Sequence, residues 1–91
     1  MVTAFILISA ERNRIAGAAQ EILNLPGISE VYSVAGEWDL IAVVRVPENE
    51  TLSKLVTEDM IAVPGIVKTT TIFAFRQYLN RTLDQGFHLG D

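Results

Sequence analysis

At 91 residues the chain makes one domain, since single cores usually extend over roughly 100–200 residues. Seven Lys and Arg against eleven Asp and Glu leave a formal net charge of −4, which argues against a nucleic-acid surface, because that affinity comes largely from basic side chains neutralising phosphates. The absence of cysteine excludes disulfides and thiolate chemistry, and a 49% hydrophobic composition calls for either a large core or an apolar face covered by another subunit.

Residues 2–9 are a β-rich run with almost no polar side chains, which suits a central strand covered on both faces. The run lacks a basic leader and is too short to span a bilayer, so the expectation is a cytoplasmic chain without a membrane partner. From Glu11 the period changes. Ile15, Ala18, Ala19, Ile22 and Leu23 recur at helical spacing, with Arg12, Arg14, Gln20 and Glu21 on the other side. Gly17 inside that helix is costly unless something packs close to it. Leu25-Pro26-Gly27 ends it, since proline cannot continue a helix and disfavours helical geometry in the residue before it.

A second strand is predicted over 28–35 and a third over 38–46, joined by a tight hairpin at Gly36, whose missing Cβ allows positive φ. Pro47-Glu48-Asn49 breaks the pattern, and Asn49 or Thr51 is the expected cap of a second helix. That helix carries Leu52, Leu55, Val56, Met60 and Val63 on one face, and Val63-Pro64-Gly65 stops it. A long last strand is predicted over 66–79; the tail, 80–91, is assigned no element.

Leu25-Pro26-Gly27-Ile28 recurs as Val63-Pro64-Gly65-Ile66, an internal repeat offset by about 38 residues. The chain is therefore β-α-β twice over. Right-handed crossovers in both halves give an α+β, ferredoxin-like βαββαβ sandwich: a four-stranded antiparallel sheet, order 4-1-3-2, with two helices on one face. The other face is left bare. At about 25 cal/mol per Å², a few hundred Å² of exposed apolar strand forfeits several kcal/mol, so a dimer burying sheet against sheet is expected.

No enzyme constellation emerges. The single histidine, His88, lies in the glycine-flanked tail, the serines lack a histidine partner, and nothing has metal-ligand spacing or the form of a phosphate loop. Neither a cofactor nor a metal is expected. Ser33-Val34-Ala35-Gly36-Glu37-Trp38-Asp39 places an indole and two carboxylates where two strands emerge. It reads either as an ordinary polar turn or as a pocket lip offering backbone groups and the Asp39 carboxylate to a small polar ligand. Thr69 and Thr71, two apart on a strand, share a row with Phe73 and Phe75. Their hydroxyls either pack or meet a bound polar group. Glu11-Arg12-Asn13-Arg14 reads as a solvated first turn, and Tyr32 and Tyr78 as amphipathic packing at an interface or sheet margin.

Taken in order and at this spacing, Leu25-Pro26-Gly27-Ile28, Gly36-Glu37-Trp38-Asp39 and Val63-Pro64-Gly65-Ile66-Val67-Lys68-Thr69-Thr70-Thr71 resemble the ligand-binding (RAM) domain of the Lrp/AsnC transcription factors, over residues 2–79. The resemblance implies sheet-to-sheet dimers assembled into rings of four or five, octamers or decamers, with an amino acid bound where dimers meet. Carried over, it puts backbone groups of Ala35, Gly36, Glu37 and Trp38 on the ligand, and Asp39 on its ammonium. Thr69 and Thr71 of a neighbouring subunit reach its carboxylate, and Ser33 is a further candidate. Full-length members carry a helix-turn-helix domain ahead of this one, whereas this chain begins at the first strand. The expectation is a stand-alone sensor domain over 1–79 without direct DNA binding, with full-length regulators as candidate co-assembly partners. Two alternatives stand beside it: an interaction module without a ligand, and a dimeric α/β-barrel enzyme of the monooxygenase type.

Overall fold

The structure, a computed structural model, describes residues 1–80; His88 and all but the first residue of the tail lie outside the described residues. Four strands, β1 (Val2–Ala10), β2 (Ile28–Ser33), β3 (Leu40–Val46) and β4 (Ile66–Phe73), form one antiparallel sheet ordered β2-β3-β1-β4. This is the expected order read from its other edge. Helix α1 (Ile15–Leu23) joins β1 to β2 after a 3-10 turn at Arg12–Arg14. Helix α2 (Asn49–Lys54) continues directly into a π-helical stretch, Leu55–Met60.

The core lies between the sheet and the helices. Ala4, Ile6 and Ile8 of β1 and Leu40, Ala42, Val44 and Val46 of β3 meet Ala18 and Ile22 of α1 and Leu52, Leu55 and Met60 of the second helix, all fully or almost fully buried. Strand alternation explains the β residues. Helical spacing explains Ala18 and Ile22, but Leu23, expected on the same face, is 44% exposed at the helix end. In the π-helical stretch, Leu55 and Met60 are five residues apart and both buried. The wider turn, with its i→i+5 bonds, brings two such positions to one side.

Both proline-glycine loops share one backbone solution. Gly27 and Gly65 have φ of +91° and +95°, conformations that a Cβ disfavours. The neighbouring strand end donates to each glycine carbonyl: Arg45 N–H to Gly27 at 2.9 Å and Glu11 N–H to Gly65 at 2.7 Å. The register then slips by one residue in each half, at Ser29 in β2 and Val67 in β4. The repeat therefore extends from sequence into paired β-bulges.

The two glycine loops are filled differently. A Cβ on Gly27 would stand 2.5 Å from Val46 Cγ1, whereas one on Gly65 would stand 2.6 Å from Arg14 Cβ. Arg14 Nη1 also lies 2.5 Å from where a Gly17 Cβ would be, so the close neighbour that Gly17 requires is this guanidinium. Arg14 is consequently more than a solvated first-turn residue. Its Nη2 donates to Glu21 at 2.6 Å and reaches the Pro64 carbonyl at 3.3 Å, tying α1 to the loop that enters β4.

Three boundaries differ from expectation. The second helix has Glu48 at its N-cap with no side-chain cap bond, so neither Asn49 nor Thr51 caps it. β4 ends at Phe73 instead of running to residue 79. Phe73 already pairs with Ala4 and Ala74 N–H donates to Thr3 at 3.0 Å, so β1, which begins at Val2, has little edge left to offer. Strand β3 starts at Leu40 instead of Trp38, for a reason that belongs to the site.

Candidate functional site

Residues 34–39 connect β2 to β3 at one end of the sheet, and Asp39 fastens this loop at its base. Its N–H donates to the Ile8 carbonyl at 2.9 Å, and its carbonyl accepts the Val34 N–H at 3.0 Å. Its Oδ2 accepts the Ala10 N–H at 2.9 Å. Ala10 is the last residue of β1, and continuing the β1–β3 register would set it opposite Trp38. The Asp39 carboxylate takes that N–H, the ladder stops at Leu40, and Trp38 is released from the sheet. A partly buried amide satisfied by a carboxylate makes one of the stronger hydrogen bonds available to a loop.

The released indole turns towards β4, where the Lys68 ammonium lies 4.9 Å from its ring centroid. Ser33, Ala35, Gly36 and Glu37 are exposed, while Trp38 and Asp39 are half-buried. Gly36 has φ of +117°, and a Cβ there would meet nothing within 4 Å. Its conformation needs glycine, and its surroundings are open. The loop is thus fixed at Asp39 and free at its tip.

Thr69 and Thr71 stand opposite Ile8 and Ile6 on the edge strand, both half-buried on the helix-bearing side of the sheet. Phe73, opposite Ala4, continues their row as expected, but Phe75 lies beyond the strand. The Val67 bulge sets this phase. Lys68, Thr70 and Ile72 point to the bare face instead, opposite Ser9, Leu7 and Phe5. Within one chain the two threonines and Lys68 therefore take opposite faces of β4. Spacing singled out the threonines and passed over Lys68, although it sits inside the quoted motif; its contact with Trp38, thirty residues away, arises only in the folded sheet.

The bare face is apolar in the middle and charged at its ends. Phe5 stands between Val43 and Ile72, and Leu7 between Ile41 and Thr70, with Tyr32 beyond Ile41. Phe5, Tyr32 and Ile72 are 37%, 51% and 47% exposed. β1 is central as expected, but in the single chain only one of its faces is covered. Arg45 stands opposite Thr3 at one end and Lys68 opposite Ser9 at the other. A groove of about 480 Å³, walled by Thr3, Phe5, Arg45, Phe75 and Arg76, opens at the Arg45 end, away from the 34–39 loop. Tyr32 Oη donates to Glu30 Oε2 at 2.5 Å; the bond and the charge of Glu30 raise the phenol above its ordinary 10.0, with Arg45 opposing.

Among the described residues no group of three or more His, Asp or Glu is placed to hold a metal ion, and no helix is long and apolar enough to cross a membrane.

A family model described as the Lrp/AsnC ligand binding domain matches residues 3–84. An uncharacterized HTH-type transcriptional regulator of Pyrococcus furiosus is 36% identical over 78 residues, which cover 80% of this chain and 51% of that protein. The chain thus spans about half the length of the curated relatives it matches. Among solved structures, a Thermus thermophilus protein, TTHA0845, is 41% identical with a TM-score of 0.82, covering 88% of this chain and 100% of that one. A transcriptional regulator from Neisseria meningitidis, solved with L-methionine, has a TM-score of 0.78 at 16% identity, over 87% of this chain and 53% of that one. At that identity the likeness is one of fold alone.

Proposed function

The chain belongs to the Lrp/AsnC ligand-binding domain family, and from that premise we propose that it is a non-catalytic amino-acid sensor whose binding event is read out as assembly. The observation that carries this reading is the 34–39 loop, anchored through Asp39 to the end of β1 and open at Gly36. Such a loop presents backbone donors and acceptors in a defined place without spending its own side chains on the core. Ser33, Ala35, Gly36, Glu37 and Trp38 form its rim. Asp39 receives the ligand's ammonium on Oδ1, since Oδ2 is engaged by Ala10. Thr69 and Thr71 are supplied by a neighbouring subunit.

Assembly begins with the bare face. Phe5, Tyr32 and Ile72 are too exposed on one sheet face to be left in water at no cost, and a two-fold partner covers them. Dimers then close into an octamer or decamer, with the ligand held between them. A ligand that needs groups from two dimers favours their contact by its own binding free energy, and the reciprocal coupling follows from linkage. Because the relatives are named transcriptional regulators, the output is a change in transcription, reached through co-assembly with full-length regulators of the same family.

The deciding experiment is isothermal titration of the wild type and Asp39→Ala with the twenty amino acids, beginning with methionine, the ligand of the Neisseria regulator. Binding by the wild type is expected, weakened at least about tenfold in the variant, with a ligand-dependent change in sedimentation. An oligomer that binds none of them is an interaction module instead.

A further inference from the structure

Building on the sensor reading, we propose that Lys68 receives the carboxylate of the bound amino acid at the rim of the bare sheet face, beside Trp38. Lys68 follows the β4 bulge and stands opposite Ser9. Its ammonium lies over the indole at 4.9 Å and has no carboxylate partner among the described residues. Among those residues the indole, and no carboxylate, is therefore the neighbour of this cation in an acidic chain. Lys54 finds Asp59 at 3.5 Å, yet Lys68 does not pair with Glu37, the exposed neighbour of Trp38. An aromatic face attracts the charge of an ammonium but accepts none of its hydrogen bonds in the way an oxygen does. Lys68 is therefore held in place with its donors still available.

The anchoring of the loop supplies the second half of the argument. Asp39 is bonded to Ile8 and Ala10 from the β3 side of β1, whereas Lys68 stands on the β4 side. Two strand spacings separate them, about 10 Å between backbones. An acceptor and a donor of opposite charge thus flank the end of one strand, with an indole between. An α-amino acid carries the two charges this pair would recognise, the ammonium going to Asp39 Oδ1 and the carboxylate to Lys68 Nζ, whose long side chain reaches in from its strand. A ligand without the carboxylate leaves Lys68 as it is.

The test compares the full chain with Lys68→Met and Lys68→Gln. Each is titrated with the twenty amino acids and with the α-amide of every amino acid that the wild type binds. The wild type is expected to prefer acid over amide by about ten- to hundredfold. Both variants lose affinity for the acid by a similar factor, bind the amide as the wild type does, and keep the wild-type mass in light scattering. Unchanged affinity for the acid, equal losses for acid and amide, or a fall in mass each overturns the assignment; the last would put Lys68 in a subunit contact. A wild type that binds amino acids while ignoring both substitutions removes only this assignment. A wild type that binds none removes the sensor reading itself.

Discussion

Tyr32 and Glu30 sit two residues apart on β2 and on the same bare face, where the phenol donates to the carboxylate at 2.5 Å. The protonated phenol is the favoured partner of that anion, so its pKa lies above 10.0 in the folded chain. A group whose pKa rises on folding contributes fully below its unfolded value and loses that contribution as pH climbs through the folded one. The bond therefore supports the fold at neutral pH and fades only in strong alkali. Spectrophotometric titration should place the Tyr32 midpoint above 10.0, and Glu30→Gln should lower it; a midpoint that ignores the substitution would mean the bond is absent in solution. Arg14 makes the same point about local chemistry. Its guanidinium occupies the space that Gly17 and Gly65 leave free, so two glycines far apart in sequence answer to one side chain.

At the scale of an element, the 34–39 loop shows how a single carboxylate sets a strand boundary. Asp39 takes the amide that would otherwise continue the β1–β3 ladder, and this ends β3 and delivers Trp38 to Lys68. Asp39→Ala should destabilise the fold by about 1–3 kcal/mol, the usual cost of leaving such a donor unpaired. Ala10 N–H should exchange faster with solvent in that variant. Asp39→Asn, which keeps an acceptor oxygen, should cost less on both measures. Equal behaviour of the two variants would show that the side chain of Asp39 carries no such role. The bulges at Ser29 and Val67 act similarly on β2 and β4, since one extra residue exchanges the faces of everything that follows it.

For the molecule as a whole, the decisive asymmetry is between the two faces of the sheet. One is sealed by α1 and the second helix, and the other exposes Phe5, Tyr32 and Ile72. Light scattering at micromolar concentration is expected to report a dimer or larger. Phe5→Asp should reduce the mass to that of one chain while leaving the circular dichroism intact, because Phe5 faces away from the core. A wild-type mass of one chain would remove the dimer and every larger assembly proposed from it.

The sequence by itself determined the order of elements, the doubled β-α-β plan and most of the core face, Leu23 and the bare side of β1 excepted, because these rest on periodicity and on proline and glycine at the loops. Leu25-Pro26-Gly27-Ile28 and Val63-Pro64-Gly65-Ile66 announced two loops of one kind, and Gly27 and Gly65 share their φ. The family resemblance was legible for the same reason, as the motifs mark the points where the chain must turn. Only the tertiary structure decided what depends on partners distant along the chain. Arg14 reads as a surface cation until Gly65 lies under it. Asp39 reads as a free carboxylate until Ala10 donates to it, and Lys68 as one more polar strand residue until Trp38 is beside it. Periodicity reports which face a residue takes, but hydrogen bonds and cation–aromatic contacts between separate strands exist only once the sheet has brought those strands together.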